Sequence, residues 1–365
     1  MKAFVTGGTG FIGQHVVKKL LARGYDVVAL VRSPLSQSAR QLTAMGAQVV
    51  PGDILDVDSM REPMAGSDVV FHIAARYKIG DPQPEQGELI NVGGTRKVLR
   101  LAYELEIPKI VYTSTVGVFG DTKGQLVDES YYQGGPFLSE YARTKWLAHY
   151  KVALPLIEKG APIIIVMPGG VYGPGDTSSI AQMMRLFYRG LPVLPGPETT
   201  LTYAHVEDVA EGHILAAEKG SVGESYVLAG PAIPLGEMFE FWGYLTGKRP
   251  PQIYLPAPYV RPAAPLMGAV SSVASLPAST FSQEATEILG ATYMASADKA
   301  RAQLGWQTRP LQTGMLETFA WIAQTELEYR AEGDNQTEKQ LASVALVAAL
   351  LLFIVWLLGR RRGKK

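Results

Sequence analysis

Cysteine is absent from the 365-residue chain, which excludes disulfides, thiolate metal sites and a cysteine nucleophile. Histidine is scarce. The five residues, at 15, 72, 149, 205 and 213, lack the spacing of a ligand set, and no metal is expected. Neither sign of charge is in excess: 34 basic and 34 acidic side chains leave no electrostatic footprint for nucleic acid. The N-terminus lacks the apolar run and small-residue cleavage site of a secretory peptide, and residues 2–8 read instead as a short strand entering a glycine turn. Charge is also missing from 341–358, where 18 residues show no polar face at any helical period. At about 1.5 Å per residue that stretch covers roughly 27 Å, close to a bilayer's hydrocarbon thickness. A single-pass transmembrane helix is expected there, between a linker at 331–340 and a basic tail at 359–365.

What is present begins with alternation. Apolar strand-like runs at 2–6, 26–31, 47–51, 69–73, 110–114 and 163–167 are separated by helical stretches at 10–23, 59–64, 88–105 and 140–159. That is the pattern of a doubly wound parallel sheet, an α/β Rossmann arrangement occupying 1–168. Beyond Pro168, proline and glycine cluster and the regularity breaks. Residues 169–330 are expected to form a smaller substrate-binding part, interleaved with further sheet strands from about 200–230, including 226–228. The stretch 253–279 is apolar and proline-rich, and reads as a lid or core helix of that part, with a membrane-dipping surface as the alternative.

Three groups of residues carry chemistry. Gly7, Gly10 and Gly13 sit at i, i+3 and i+6 between a strand and a helix, where backbone N–H groups can approach a pyrophosphate. About twenty residues on, NAD-binding chains place an acidic residue on the ribose diol. Here Arg32 and Ser33 stand instead and suit a 2′-phosphate, favouring NADP with NAD as the alternative. Asp53, just after the third strand, is placed to accept from an adenine amino group. Finally Tyr141 and Lys145 lie one helical turn apart, preceded by Ser114 and Thr115 at a strand end. An unperturbed tyrosine titrates at about 10 and is a poor base at neutral pH. A lysine on the same helix face favours its phenolate, and Thr115, with Ser114 beside it, is placed to hydrogen-bond a reacting oxygen.

The series TGGTGFIG (6–13), Gly52-Asp53-Ile54, HIAA (72–75), Asn91, YTSTVGVFG (112–120), Tyr141-Ala-Arg-Thr-Lys145, Pro168 with VYGP, and HVEDV (205–209) resembles the extended short-chain dehydrogenase/reductase superfamily. Within it, the likeness is to the NAD-dependent epimerase/dehydratase and dihydroflavonol-reductase-like group, over residues 1 to about 324. The resemblance implies that Gly7, Gly10, Phe11, Ile12 and Gly13 hold the pyrophosphate, and that Arg32 holds the 2′-phosphate with Asp53 and Ile54 at the adenine. It implies that Ala74 lines the cofactor and Asn91 steadies the loops beneath it. The backbone from Pro168 to Val171 would face the nicotinamide amide, and Lys145 would also reach the nicotinamide ribose. A homodimer through paired central helices is the family-based expectation.

Departures from the group narrow the substrate. The dehydratase subset carries an Asp-Glu pair after the threonine, where Val116-Gly117 stand here. Nucleotide-sugar members place an arginine at the position of Leu201 and an asparagine where Gly169-Gly170 stand. Arg185 and Arg189 remain as substitutes for that diphosphate clamp. The function expected is an NADP(H)-dependent dehydrogenase or reductase interconverting a secondary alcohol and a ketone on a small lipophilic substrate, with Tyr141 as acid/base. The alternatives are a nucleotide-sugar epimerase and a non-catalytic cofactor-binding membrane factor. For location, the basic tail argues for a cytoplasmic C-terminus. Cofactor supply and the missing signal peptide argue for a cytoplasmic catalytic domain on a membrane anchor, and that argument prevails.

Overall fold

The computed structural model describes residues 1–263 and 282–331. Thirteen strands are introduced in chain order: β1 Lys2–Thr6, β2 Asp26–Val31, β3 Gln48–Pro51, β4 Val69–His72, β5 Ile110–Thr113, β6 Ile163–Pro168, β7 Gly170–Tyr172, β8 Val193–Pro195, β9 Thr200–His205, β10 Ser225–Leu228, β11 Ala232–Pro234, β12 Ile253–Leu255 and β13 Thr292–Tyr293. Seven of them form one parallel sheet in the order β10-β6-β5-β4-β1-β2-β3. Every residue of β4, β5 and β6 is buried, because helices cover both faces and leave no side for water. The strand order reverses between β1 and β4, which opens a crevice at their C-terminal ends.

The expected helices are present with shifted ends. Helix Phe11–Ala22 follows β1. The stretch expected at 88–105 starts a turn earlier, at Pro84–Glu88, because proline suits a first helical turn. It continues through a π-turn at Leu89–Gly94 into Thr95–Glu104. The one at 140–159 runs as Glu140–Ala148, a π-turn at His149–Ala153, and Leu154–Ile157. An unexpected helix, Gln37–Met45, begins at a Ser36 cap; only Ala39 and Leu42 of it are buried. Its apolar stripe is too thin to show as periodicity.

Beyond β6 the chain builds a second layer. β9 is flanked by β11 and β13 and also pairs with β7, while β8 pairs with β12. β10 returns to the edge of the large sheet beside β6. A separate core, with Phe187, Phe239, Trp242, Met315 and Phe319 among its members, holds this layer together. From the apolar stretch at 253–279, β12 and helix Ala257–Val260 are seen, and 264–279 lies outside the described residues.

One expectation is corrected. Among the described residues no helix is long and apolar enough to cross a membrane. The longest of them, Leu311–Ala331, carries Glu317, Glu326 and Glu328, each costly in hydrocarbon. The fold class of the described residues is therefore the α/β parallel sheet without a membrane-spanning helix, and the membrane localisation drawn from such a helix is withdrawn with it. The segment that suggested it, 341–358, lies outside the described residues.

Candidate active site

After β1 the chain turns at Gly7, whose φ of +77° is left-handed. A Cβ there would lie 2.5 Å from the Ala74 amide nitrogen, and one at Gly13 would lie 2.0 Å from the Gly7 carbonyl oxygen. Neither position has room for a side chain. The Gly10 amide closes the turn onto the Gly7 oxygen at 2.9 Å. Helix Phe11–Ala22 starts with Gly10 as its cap and no capping side chain, which leaves first-turn N–H groups for an anion. Arg32, exposed at the end of β2, reaches the same crevice. Asp53 lines it too, although its Oδ1 already accepts from the Leu55 amide at 2.9 Å.

The other wall comes from helix Glu140–Ala148, started by the Ser139 hydroxyl accepting from the Ala142 amide at 3.1 Å. Tyr141 stands beside Thr115, whose Oγ1 accepts from the Gly117 amide at 3.1 Å and donates to the Pro168 carbonyl at 3.5 Å. Ser114 turns the other way, its Oγ 2.9 Å from His149 Nδ1. The two neighbouring hydroxyls are thus separated by strand alternation, and only Thr115 faces Tyr141. Lys145 donates to the Thr113 carbonyl at 2.7 Å and to the Tyr112 hydroxyl at 3.2 Å, and has no bond to Tyr141. Burial lowers this ammonium to about 7. Burial also raises the Tyr141 phenol, with Tyr77 adding to the rise and the nearby Thr115 hydroxyl opposing it. The phenol therefore stays protonated at neutral pH and is a proton donor as it stands.

A single cavity of about 1010 Å³ joins these pieces. Gly7, Gly10, Phe11, Ile12, Gly13, Arg32, Asp53, Ile54, Ala74, Ser114, Thr115, Tyr141, Lys145, Pro168 and Val171 all line it. Asn91 does not. It is buried behind the wall, where its Oδ1 accepts from the Arg76 amide at 2.7 Å and its Nδ2 donates to the Arg76 carbonyl and Thr144. It fastens the loop after β4 to the helix that carries Tyr141.

Three residues escaped the reading from sequence. Tyr77 packs edge-on against Tyr141, centroids 4.7 Å apart, and its hydroxyl lies 2.9 Å from Ser179 Oγ. Asp176 is a buried carboxylate on the cavity wall, raised to about 6 by burial despite bonds from the Ser178 amide and hydroxyl. Tyr112 is the partner of Lys145 described above. Tyr77 and Asp176 sit in loops without periodicity. Tyr112 did leave a trace, as a polar-tipped ring in the otherwise aliphatic start of β5.

A sequence profile of the NAD dependent epimerase/dehydratase family matches residues 3–229, the part that carries the glycine turn and the Tyr-Lys helix. The chain belongs to this family. It is an NAD(P)-dependent oxidoreductase of the extended short-chain dehydrogenase type. A Synechocystis protein provisionally named dihydroflavonol 4-reductase is 32% identical over 334 residues, covering 87% of this chain and 94% of the relative. A Stigmatella aurantiaca protein, 4-hydroxy-2-methyl-3-oxo-4-farnesyl-3,4-dihydroquinoline-1-oxide ketoreductase, is 32% identical over 316 residues, covering 85% and 92%. The crystal structure of gox2253 aligns with a TM-score of 0.77 at 32% identity, covering 88% of this chain and 98% of that one. The chain thus shares its fold with these relatives over nearly their whole length.

Proposed function

We propose that this family member is an NADP(H)-dependent reductase of lipophilic ketones, running in the reverse direction as a dehydrogenase of the corresponding secondary alcohols. One observation carries the reading. The cavity passes from the glycine turn, past Tyr141, into a chamber walled by Ile180, Met183, Leu186, Leu194, Leu201 and Phe239. Among the described wall residues from Pro168 onward, Asp176 is the only charged one. A sugar nucleotide would bring a diphosphate to a chamber whose one charged group in this stretch is a carboxylate, where desolvated charge is costly. Of the cations elsewhere on the cavity wall, Arg76 and Lys78 flank Tyr77, and Arg76 is already paired with Asp81. Arg185 and Arg189, the substitutes for a diphosphate clamp, are not on the wall, and both bond Glu326 at 2.9–3.1 Å. The name of the Stigmatella relative, a ketoreductase of a farnesyl-bearing substrate, supports an apolar substrate.

The residues present fit the cofactor: a turn without Cβ atoms, an uncapped helix start and an exposed Arg32 where a 2′-phosphate would lie. Bound NADPH would supply the hydride that reaches the carbonyl carbon. Tyr141 would then give its phenolic proton to the carbonyl oxygen, yielding the alcohol. Thr115, beside that phenol, would steady the same oxygen. Lys145 would hold charge beneath Tyr141 and favour the phenolate left behind. Arg32 would select NADPH over NADH by charge-assisted bonds to the extra phosphate.

The test is absorbance at the reduced-nicotinamide band with purified protein, a panel of apolar ketones and a panel of UDP-sugars. Stoichiometric NADPH loss with a ketone is the expected result. Conversion of a UDP-sugar without net cofactor change, and no loss with any ketone, would replace this reading by an epimerase. Cofactor binding with neither reaction would leave a non-catalytic binder.

A further inference from the structure

Polar side chains are rare in the centre of the large sheet, yet a row of them runs through it. Lys145 Nζ is buried, donates to the Tyr112 hydroxyl at 3.2 Å, and lies 4.7 Å from the centre of the Tyr112 ring. Thr95 stands near the Tyr112 hydroxyl and eases its titration against the effect of burial. Thr95 Oγ1 is 2.9 Å from His72 Nε2, and His72 Nδ1 is 2.7 Å from Thr6 Oγ1. Thr6, His72 and Tyr112 come from β1, β4 and β5, adjacent strands of one sheet, and the His72 and Tyr112 rings stack 5.7 Å apart. All these side chains are buried.

An unpaired buried hydroxyl or imidazole is costly, and each of these side chains keeps a partner: Lys145 with Tyr112, Thr95 with His72, and His72 with Thr6. Its direction follows from its end. An ammonium only donates, so the Tyr112 oxygen accepts from Lys145. Two of the three N–H groups of Lys145 are thereby used, on the Tyr112 and Thr113 oxygens, and the remaining one is left for the cavity that Lys145 lines.

We propose that Tyr112 is a positioning residue for Lys145, holding its ammonium in place and supporting its positive charge from below. The inference rests on the role given to Lys145 under the proposed function. Lys145 has no carboxylate partner among the described residues. The titratable groups around it are His72 from β4, His149 one turn on, Tyr141 one turn back and Tyr112. Burial lowers both histidines to about 3, so they are neutral and offer no counter-charge. Burial likewise raises the Tyr112 phenol, which stays neutral and acts only as an acceptor. The oxygens of Tyr112 and Thr113 are therefore what the sheet offers to an ammonium already lowered to about 7.

The test is Tyr112→Phe in the full chain, read first by NADPH fluorescence titration from pH 6 to 9. Removing an acceptor from the charged form lowers the Lys145 pKa. The alkaline fall in NADPH affinity is expected to move down by about one pH unit. With a turned-over ketone, kcat at pH 8 should drop about tenfold while the ketone KM changes less than about twofold. Thr95→Val, which leaves the Tyr112 hydroxyl but removes the hydroxyl near it, should shift the profile the same way by less. A packing role alone would lower the melting temperature and leave both profiles on the wild-type curve, and that result overturns the proposal. So does wild-type binding without any alkaline fall. If Tyr112→Phe does not fold, Thr95→Val decides by the same criterion. Binding is read without substrate, so failure of every ketone would overturn the reductase reading and still leave Tyr112 tested.

Discussion

The two ends of the cavity are made of different material. At the cofactor end the wall is largely backbone: Gly7 and Gly13 leave no room for a Cβ, and an uncapped helix start supplies N–H groups. At the substrate end the wall is side chain: Ile180, Met183, Leu194, Leu201 and Phe239, projecting from elements as separate as helix Ser179–Tyr188 and β9. A backbone wall has one shape and accepts one ligand. A side-chain wall changes shape with each substitution, so this end is where relatives with one fold can part in substrate.

The sharpest way to break the comparison lies where the two ends meet. Tyr141→Phe removes the proton donor and should lower kcat about 10²–10⁴-fold with NADPH affinity unchanged, as steady-state kinetics and titration would show. Next, Gly13→Ala puts a carbon 2.0 Å from the Gly7 oxygen. It should cost about 1–3 kcal/mol of stability and weaken NADPH, whereas alanine on the substrate wall should leave NADPH alone. Thermal melts with and without NADPH check this. Arg32→Ala loses charged hydrogen bonds, each worth about 1.5–3 kcal/mol, and should weaken NADPH about tenfold or more while sparing NADH. Equal loss for both would remove Arg32 from the phosphate. Smallest is Leu201→Ala, which enlarges the chamber. It should favour bulkier ketones by about tenfold in kcat/KM, since each methylene in such a pocket counts for about 1–3 kcal/mol.

Legibility in the sequence follows the same division. β1 and β2 match their apolar runs to the residue, because a strand buried on both faces must be continuously apolar. The glycine turn and the Tyr-Lys pair were readable because their chemistry depends on spacing along one turn or one helix. Helix Gln37–Met45 was hidden by its mostly exposed, polar face. Tyr77 and Asp176 were hidden because loops carry no period, and their neighbours come from distant segments. Even Lys145, legible as a residue, was not legible in its bonds: it points at Tyr112 and Thr113 from a separate strand.

The amino-acid order alone determined that a glycine turn, a strand-end hydroxyl pair and a Tyr-Lys helix would exist, since each is a local pattern of backbone freedom or helical period. Packing decided the rest. Which hydroxyl meets Tyr141, what holds Lys145, that Arg185 and Arg189 are bound to Glu326, and that the chamber is apolar all depend on contacts between residues far apart in the chain. Local propensity has no means of encoding those distances; they arise when the sheet and its second layer close around a shared cavity.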